Sequence, residues 1–400
     1  MTELKEKIFQ RINERKDEMI QLRRHFHQYP ELSFHETKTA QTIAEFYQGK
    51  DCEVHTQVGG GNGIWVDITG GKPGKHLAIR ADFDALPIQE ETNLPFASKV
   101  PGVMHACGHD GHTAYMMILA DTLIEFKDEL PGTIRILHQP AEEVPPGGAQ
   151  TMIKGGCLDG IDNVLGIHVM STMDVGKVFY HEGAVHTGRA TFSIKMHGKG
   201  GHGSAPQDAN DAIVAAAQFV TSVQTIVSRR ISPFDNATVT IGSFDGKGSA
   251  NVIKETVELQ GDVRMMNESL RPVIEKEFKQ ILDGICQAFN ITYELNYLND
   301  YPVCMNDPKM TQLVKKAVTE AKIPEVEGVE DSGPQTASED FSYYALERPS
   351  CFFFVGAHEK GTPIYPHHNP KFQIDEDCLP IAAKSMASAV LAYLFEGVAK

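Results

Sequence analysis

The sequence predicts an α/β protein with a largely parallel sheet, into which a smaller α+β domain is inserted. Apolar strand-like runs alternate with helical patterns over residues 1–185, which is typical of a parallel sheet covered by helices. Residues 186–299 follow the order β-α-β-β-α-β of a ferredoxin-like unit, and α/β material returns over 300–400. A chain of 400 residues is also longer than one hydrophobic core usually grows.

The elements of the first segment follow from hydrophobic spacing and turn residues. Apolar residues at helical spacing predict one surface helix over 3–28, which ends before Pro30. The later elements in this segment are a helix over 37–46, strands over 63–68 and 76–80, a helix over 113–126, a strand over 133–137, a helix over 149–154 and a strand over 163–169.

The remaining elements define the insertion and the return to the first domain. The insertion contains a strand over 191–197, a helix over 208–227, strands over 237–244 and 257–264, a helix over 269–289 and a strand over 291–298. A helix over 308–321, a strand over 351–355 and a helix over 378–395 follow. We therefore expect a discontinuous catalytic domain, 1–185 with 300–400, and an inserted domain over 186–299.

Composition excludes several classes of function. A formal net charge of −16 argues against a nucleic-acid partner, because phosphate binding requires a basic surface. No apolar run approaches the ~20 residues of a membrane helix. Seven scattered cysteines and an N-terminus without a signal-peptide pattern favour a cytoplasmic protein with reduced thiols.

The segment His105-Ala106-Cys107-Gly108-His109-Asp110-Gly111-His112 has the highest density of metal-ligand side chains. A thiolate together with imidazoles suits zinc and suits magnesium or calcium poorly. Glycines within the segment permit the tight loop that would bring Cys107 and His109 together. The alternative is a structural cysteine beside surface histidines.

Glu142 and Glu143 follow a buried-looking strand and precede a Pro-Pro-Gly-Gly turn. Adjacent side chains do not easily reach one ion, so we expect one carboxylate to bind metal and the other to accept a proton from an activated water. The alternative is a solvated acidic pair. Asp82, the glutamate pair and His168 all lie at or just past the ends of predicted strands, where sites form in such sheets.

Histidines elsewhere are ambiguous from their spacing. His168 ends an apolar strand, where a hydrogen-bonded core histidine is more common than a metal ligand. His367 and His368 lie in one loop near the C-terminus, and either could bind metal.

Together these motifs resemble the amidohydrolase branch of the M20 metallopeptidase family over nearly the whole chain. That branch contains hippurate hydrolases, N-acyl-amino-acid amidohydrolases and plant auxin-conjugate hydrolases. The matching motifs are Arg80-Ala81-Asp82-Phe83-Asp84-Ala85-Leu86-Pro87, the 105–112 segment, His138-Gln139-Pro140-Ala141-Glu142-Glu143, Gly166-Ile167-His168, Gly200-Gly201-His202-Gly203-Ser204-Ala205-Pro206 and His368-Asn369-Pro370-Lys371-Phe372.

The resemblance implies two divalent ions, zinc or manganese with cobalt or nickel possible, and Cys107 as the bridge between them. It implies that Glu142 is the general base and that the ligands are Cys107, His109, Glu143, His168 and His368. Arg80 stands where other M20 peptidases carry a metal-binding histidine. Asp82 is then expected to orient a ligand rather than to bind metal.

The resemblance also assigns three residues of the insertion. His202 is similar to a histidine that reaches the active site from the partner subunit of a dimer, so a homodimer through the inserted domain is expected. Asn251 and Arg264 match positions that hold the substrate, and an arginine suits a free carboxylate. Spacing alone favours a turn residue for His202, whereas for Arg264 an exposed strand-end arginine is an equal alternative to substrate binding.

The expected activity is hydrolysis of the amide bond of N-acyl-amino acids, with hippurate-like or N-acetyl substrates. Within the same family, the alternatives are a dipeptidase or aminopeptidase acting on short peptides, and an N-acetyl-diaminopimelate deacetylase. A non-catalytic metal- or ligand-binding protein is an alternative of another class. Glu142 argues against it, because a binding protein needs no second carboxylate beside a ligand.

Overall fold

The computed structural model describes residues 1–397, which form two compact units. The first unit contains Met1–Val185, Met305–Gln335 and the chain from Asp340 onward. The second contains His186–Cys304 and Thr336–Glu339. The second unit thus continues past residue 299, where the sequence predicted the end of the insertion.

Helices and strands are numbered here in chain order. The helices are α1 (Thr2–Glu14), α2 (Lys16–Gln28), α3 (Thr37–Phe46), α4 (His109–Glu125), α5 (Gly148–Lys154), α6 (Ala212–Val223), α7 (Thr225–Arg229), α8 (Leu270–Phe289), α9 (Pro308–Ala321), α10 (Ser342–Glu347) and α11 (Cys378–Phe395). The strands are β1 (Glu53–Val58), β2 (Gly63–Thr69), β3 (Lys72–Asp82), β4 (Pro131–Gln139), β5 (Asn163–Asp174), β6 (Lys177–Tyr180), β7 (Gly183–His186), β8 (Gly188–His197), β9 (Gly201–His202), β10 (Ala237–Asp245), β11 (Val252–Ile253), β12 (Thr256–Met265), β13 (Thr292–Asn299), β14 (Cys304–Asn306), β15 (Gly328–Asp331) and β16 (Ser350–His358).

The sheet of the first unit is mixed, which corrects the prediction of a largely parallel sheet. Its strand order is β1-β2-β4-β3-β5-β16-β6-β15. The central strands β4, β3, β5 and β16 are parallel, whereas β1 pairs with β2, β2 with β4 and β6 with β16 in the antiparallel direction. A short glycine-containing turn joins β1 to β2, and such a turn permits only antiparallel pairing, whereas α4 crosses over between β3 and β4.

Two predicted helices are each divided in the structure. The helix predicted over 3–28 breaks at Arg15, whose guanidinium turns inward to Asp121 of α4 at 2.7 Å. The helix predicted over 208–227 becomes α6 and α7. It begins only at Ala212, because the carboxylate of Asp211 accepts hydrogen bonds from the first free main-chain N–H groups.

Two helices of the first unit are buried on all sides. Helix α4 has buried residues from His109 to Ile124, and α11 packs against α1, α4 and α9. By length and composition α11 alone, within the described chain, is apolar enough to cross a membrane. Of the residues in this helix, 89% are buried within the protein, as expected of a core helix.

The second unit is built on an antiparallel sheet of order β10-β12-β8-β13. Helices α6 and α8 pack on it through Phe219 and Phe278, whose rings lie 5.3 Å apart, and Phe192 of β8 meets Phe278 at 4.6 Å. The long elements follow the predicted order β-α-β-β-α-β, with the short β9, β11 and α7 in addition.

The strand order of the first unit positions a cluster of polar side chains. Strands β4, β3 and β5 are adjacent and parallel, so their carboxyl ends meet at one edge. Asp82 ends β3, Gln139 ends β4, and His168 lies at the middle of β5. This edge is where the sequence predicted a site.

Candidate active site

The turn before α4 brings Cys107 beside two histidines. Gly108 adopts a φ of 97°, and a Cβ there would lie 2.6 Å from a methyl carbon of Val169, so only glycine fits. Helix α4 begins at His109 rather than at residue 113, which places that imidazole in the first helical turn. The Cys107 Sγ lies 3.5 Å from His168 Nε2.

Hydrogen bonds fix the orientation of both imidazoles. His109 Nδ1 donates to the main-chain oxygen of Asp84 at 3.0 Å and lies 3.1 Å from its Oδ1. His168 Nδ1 donates to the Val169 carbonyl at 2.7 Å. Since each Nδ1 donates to an oxygen, Nε2 is the nitrogen of each ring that can bind a metal ion once it has lost any proton of its own.

The glutamate pair and the C-terminal loop complete the cluster. Glu143 Oε1 lies 3.9 Å from His109 Nε2, and its Oε2 lies 3.3 Å from His368 Nε2. The main chain of His368 donates to the Ala106 carbonyl at 2.8 Å, which ties its loop to the Cys107 turn. Glu142 is 6% exposed, and one of its oxygens lies within 4.8 Å of ligand atoms of His109 and Glu143.

These residues form two ligand groups that share one thiol. Cys107, His109 and His168 form one group, and Cys107, Glu143 and His368 form the other, with ligand atoms within 4.8 Å of one another in each. His109 Nε2 and Glu143 Oε1 are buried and lack a hydrogen-bond partner among residues 1–397. Buried polar atoms are normally paired, so this donor set fits divalent ions.

Electrostatics of the cluster also favour cations. Burial, together with Glu143 and Glu142, raises the pKa of the Cys107 thiol. Burial alone would lower the pKa of His109, but Asp82 and Asp84 outweigh it and raise that pKa to about 10. The site thus holds protons that a metal ion would replace on binding.

Asp82 lies behind the ligands and is fully buried. Its Oδ1 accepts a hydrogen bond of 2.5 Å from His112 Nδ1, and its Oδ2 accepts one of 2.5 Å from Arg80. Although burial opposes ionisation, the Arg80 guanidinium and the neighbouring histidines hold the pKa of Asp82 well below its usual range. Arg80 also donates to Asp340 at 2.8 Å, so a buried ion-pair network supports this side of the site.

Asp84 has an orienting position that the sequence analysis missed. Its Oδ2 accepts from the main-chain N–H of Glu143 at 3.0 Å and from the Ser33 hydroxyl at 2.7 Å. Together with its contact to His109, this links two of the predicted ligands. Its position in the sequence, two residues after Asp82 and just past the end of a strand, could have indicated a role in the site. For Asp340 the sequence contains no such indication, because this residue lies 260 positions away from its partner Arg80.

His112 and His367, which were not predicted as ligands, have ring nitrogens engaged elsewhere. His112 Nε2 accepts a hydrogen bond from the Val169 N–H at 2.9 Å. His367 Nε2 donates to the Val169 carbonyl at 3.1 Å, whereas His368 faces Glu143. The geometry therefore favours His368 over His367 as a ligand.

The three remaining predicted residues lie in the second unit. His202 is exposed in β9, opposite Val252 of β11, and Asn251 accepts a main-chain hydrogen bond from Gly203 at 2.7 Å. His202 and Asn251 are therefore neighbours. Arg264 lies in β12, where its Nε donates to Asp262 at 2.7 Å.

Comparison with known proteins identifies the family. Residues 78–392 match the sequence profile described as "Peptidase family M20/M25/M40". The chain belongs to this family. It is a metal-binding hydrolase, and the resemblance of its motifs to M20 enzymes is confirmed.

Three similar proteins extend over most of the chain. An N-acyl-L-amino acid amidohydrolase from Geobacillus stearothermophilus is 41% identical over 304 residues, 76% of this chain and 81% of that protein. A crystal structure from methicillin-resistant Staphylococcus aureus is 57% identical with a TM-score of 0.92, covering 97% of this chain and 99% of that one. The Bacillus subtilis YxeP protein, described as a dinuclear metal binding peptidase from the M20 family, is 32% identical with a TM-score of 0.81, covering 95% and 98%.

Proposed function

We propose that this M20 hydrolase cleaves the amide bond between an acyl group and an amino acid. The observation that carries the proposal is the pairing of Glu143, which faces His109 and His368, with a neighbouring buried Glu142. In such a pair, Glu143 would bind metal and Glu142 would transfer the proton. The N-acyl-L-amino acid amidohydrolase relative supports the substrate class.

Two divalent ions would bind to Cys107, His109, Glu143, His168 and His368, with Cys107 between them. When bound, such ions polarise the amide carbonyl and lower the pKa of the attacking water. Cys107 and the imidazoles favour zinc, and manganese, cobalt or nickel would also be accepted.

Glu142 is the proposed general base. Its carboxylate takes a proton from the attacking water and delivers it to the leaving nitrogen, which departs as an amine. Burial supports this role, because a carboxylate shielded from bulk water exchanges its proton with the reacting atoms rather than with solvent.

Residues of the second unit are proposed to act on the substrate. His202 Nδ1 accepts from the Ser204 hydroxyl at 2.7 Å and from its main-chain N–H at 3.2 Å, so a neutral ring carries its proton on Nε2. That proton suits stabilisation of the tetrahedral oxyanion. Asn251 and Arg264 are proposed to hold the substrate carboxylate. We further propose that His202 is supplied by the partner subunit of a homodimer.

The second candidate is peptide hydrolysis, which the description of the YxeP protein as a peptidase favours. The two candidates differ in the group on the acyl side of the scissile amide. A dipeptidase or aminopeptidase must accommodate a free amino group there, whereas an amidohydrolase accepts an uncharged acyl chain.

Amine release from a substrate panel tests the proposal. The panel contains hippurate, several N-acetyl-amino acids, N-acetyl-diaminopimelate and dipeptides, each with chelated protein and again after addition of zinc or manganese. Metal-restored cleavage of acyl-amino acids but not dipeptides would support the amidohydrolase. Preference for dipeptides would favour the peptidase, and selective cleavage of N-acetyl-diaminopimelate the deacetylase. Absence of cleavage in metal-loaded protein would indicate a binding protein.

A further inference from the structure

Glu36, at the start of α3, is a fully buried carboxylate outside the metal-ligand cluster. Its Oε1 accepts hydrogen bonds from the main-chain N–H groups of Phe34 at 3.0 Å and Ala141 at 2.8 Å. Its Oε2 accepts from the Asn62 amide at 3.0 Å. One side chain thus connects the segment before α3 with the residue that precedes Glu142.

Ala141 is held in an unusual conformation by bonds on both sides. Its φ of 53° lies in the left-handed region that residues with a Cβ rarely adopt. Its N–H binds Glu36, and its carbonyl accepts from Gly148 N at 3.0 Å. Two residues further on, Glu143 N–H binds Asp84. The main chain on each side of Glu142 is therefore fixed by a buried carboxylate.

We propose that Glu36 is a positioning residue for the Glu142–Glu143 pair. By holding the Ala141 N–H, its carboxylate fixes the left-handed turn and with it the direction in which both side chains leave the main chain. The proposal rests on the proposed function in that Glu142 is the base and Glu143 a ligand. Glu36 itself contacts neither substrate nor ion.

Glu31 provides a matched control in the same segment. Its carboxylate accepts from the Thr39 N–H at 2.8 Å and the Thr39 hydroxyl at 3.0 Å, so it caps α3. The Glu36 side chain, in contrast, makes no capping hydrogen bond to this helix. The bond to Ala141 distinguishes Glu36, so its catalytic consequence is separable from helix capping.

The experiment compares Glu36→Ala, Glu36→Gln, Glu36→Asp and Glu31→Ala in the full chain. Steady-state kinetics on an N-acetyl-amino acid give kcat and KM at saturating metal. The visible absorption spectrum of the cobalt(II)-substituted proteins reports ligand geometry independently of turnover. Thermal unfolding reports stability.

For Glu36→Ala we expect kcat to fall about 10- to 100-fold with little change in KM, because small displacements of catalytic groups are costly. Its cobalt spectrum should also change. Glu36→Gln should restore both, because an amide oxygen still accepts the Ala141 N–H. Glu36→Asp, with its carboxylate drawn back by one methylene, should show the same two changes. It replaces Glu36→Ala as the test if the alanine variant does not fold. Glu31→Ala should lower Tm without changing kcat or the spectrum.

Wild-type kcat and cobalt spectrum in Glu36→Ala and Glu36→Asp would overturn the proposal, as would equal losses in Glu31→Ala. If wild-type protein hydrolyses no acyl-amino acid, the proposed function fails. The cobalt spectra then decide the role of Glu36 on their own, since they require metal binding but no turnover.

Discussion

At the residue level, the partner of one ring nitrogen determines what each histidine can do. His109 and His168 donate from Nδ1 to oxygen atoms, which leaves Nε2 for a metal. His112 uses both nitrogens, donating to Asp82 and accepting from Val169 N–H, so it has none left. Sequence spacing does not distinguish these cases, because the partners of His109 and His112 lie in distant segments of the chain.

Replacement of Glu142 should separate proton transfer from metal binding. We expect Glu142→Gln to retain metal and to lose about 10²- to 10⁴-fold in kcat, the usual contribution of a general base. Cys107→Ala should lose metal as well, since the thiol belongs to both ligand groups. Metal content after dialysis and kcat on an acyl-amino acid provide the measurement. Turnover near wild type in Glu142→Gln would contradict the general-base assignment.

Glu36 should make stability depend on pH. Burial and the nearby Asp84 raise its pKa from 4.5 to about 7 in the folded protein. Between these values the folded state binds a proton that the unfolded chain has lost, so stability falls as pH rises. The loss is about 3 kcal/mol at 1.36 kcal/mol per pKa unit.

Glu36→Gln removes this titration and serves as the reference. Urea unfolding of both proteins between pH 4.5 and 8, at equal metal content, should show wild type losing stability relative to the variant as pH increases. A difference that stays constant across this window would refute the expected shift.

At the level of elements, the sequence predicted most helices and long strands because their patterns are local. Strand β5 and helices α3 and α9 lie where hydrophobic spacing placed them. Strand β15 and helix α10 were missed because they are short, with little periodicity to detect. The break at Arg15 depends on Asp121, a contact over more than a hundred positions that no local pattern encodes.

The same distinction applies to the candidate site. Cys107, His109 and the glutamate pair stand out because ligand residues cluster in short segments. The Arg80–Asp340 ion pair and the Glu36–Ala141 hydrogen bond join distant segments, so they required the structure.

Strand β5 should tolerate no extra volume at Gly166. A Cβ there would lie 2.6 Å from the Phe352 ring and 2.9 Å from the Phe341 ring, both buried. Gly166→Ala should therefore cost about 1–3 kcal/mol of unfolding free energy through overpacking.

Gly284, exposed inside α8, is the matched control. A Cβ on this glycine meets no atom within 4 Å, so Gly284→Ala should stabilise by about 0.5–1 kcal/mol through helix propensity. Denaturant unfolding curves for both variants provide the comparison. Equal shifts in the same direction would contradict the packing argument.

At the level of the whole molecule, metal binding should couple to the stability of one unit. All five proposed ligands belong to the first unit. The acidic groups of the site also lie there, and they are Asp82, Asp84, Glu142 and Glu143. Its main basic groups are Arg80 and His109. Buried charges are costly without partners, so divalent cations should stabilise this unit in particular.

The chain's one tryptophan makes this coupling measurable. Trp65 lies in β2 of the first unit, with its ring 4.6 Å from that of His55 and 4.9 Å from the Arg135 guanidinium. Free zinc at about 100 times its Kd should add about 2.7 kcal/mol to a unit that binds it only when folded. We therefore expect zinc to raise the Tm followed by Trp65 fluorescence in chelator-stripped wild type, and to raise it less in Cys107→Ala. Equal zinc shifts in the two proteins would mean that the stabilising ion binds elsewhere, and the absence of any shift in wild type would mean that zinc does not select the folded first unit.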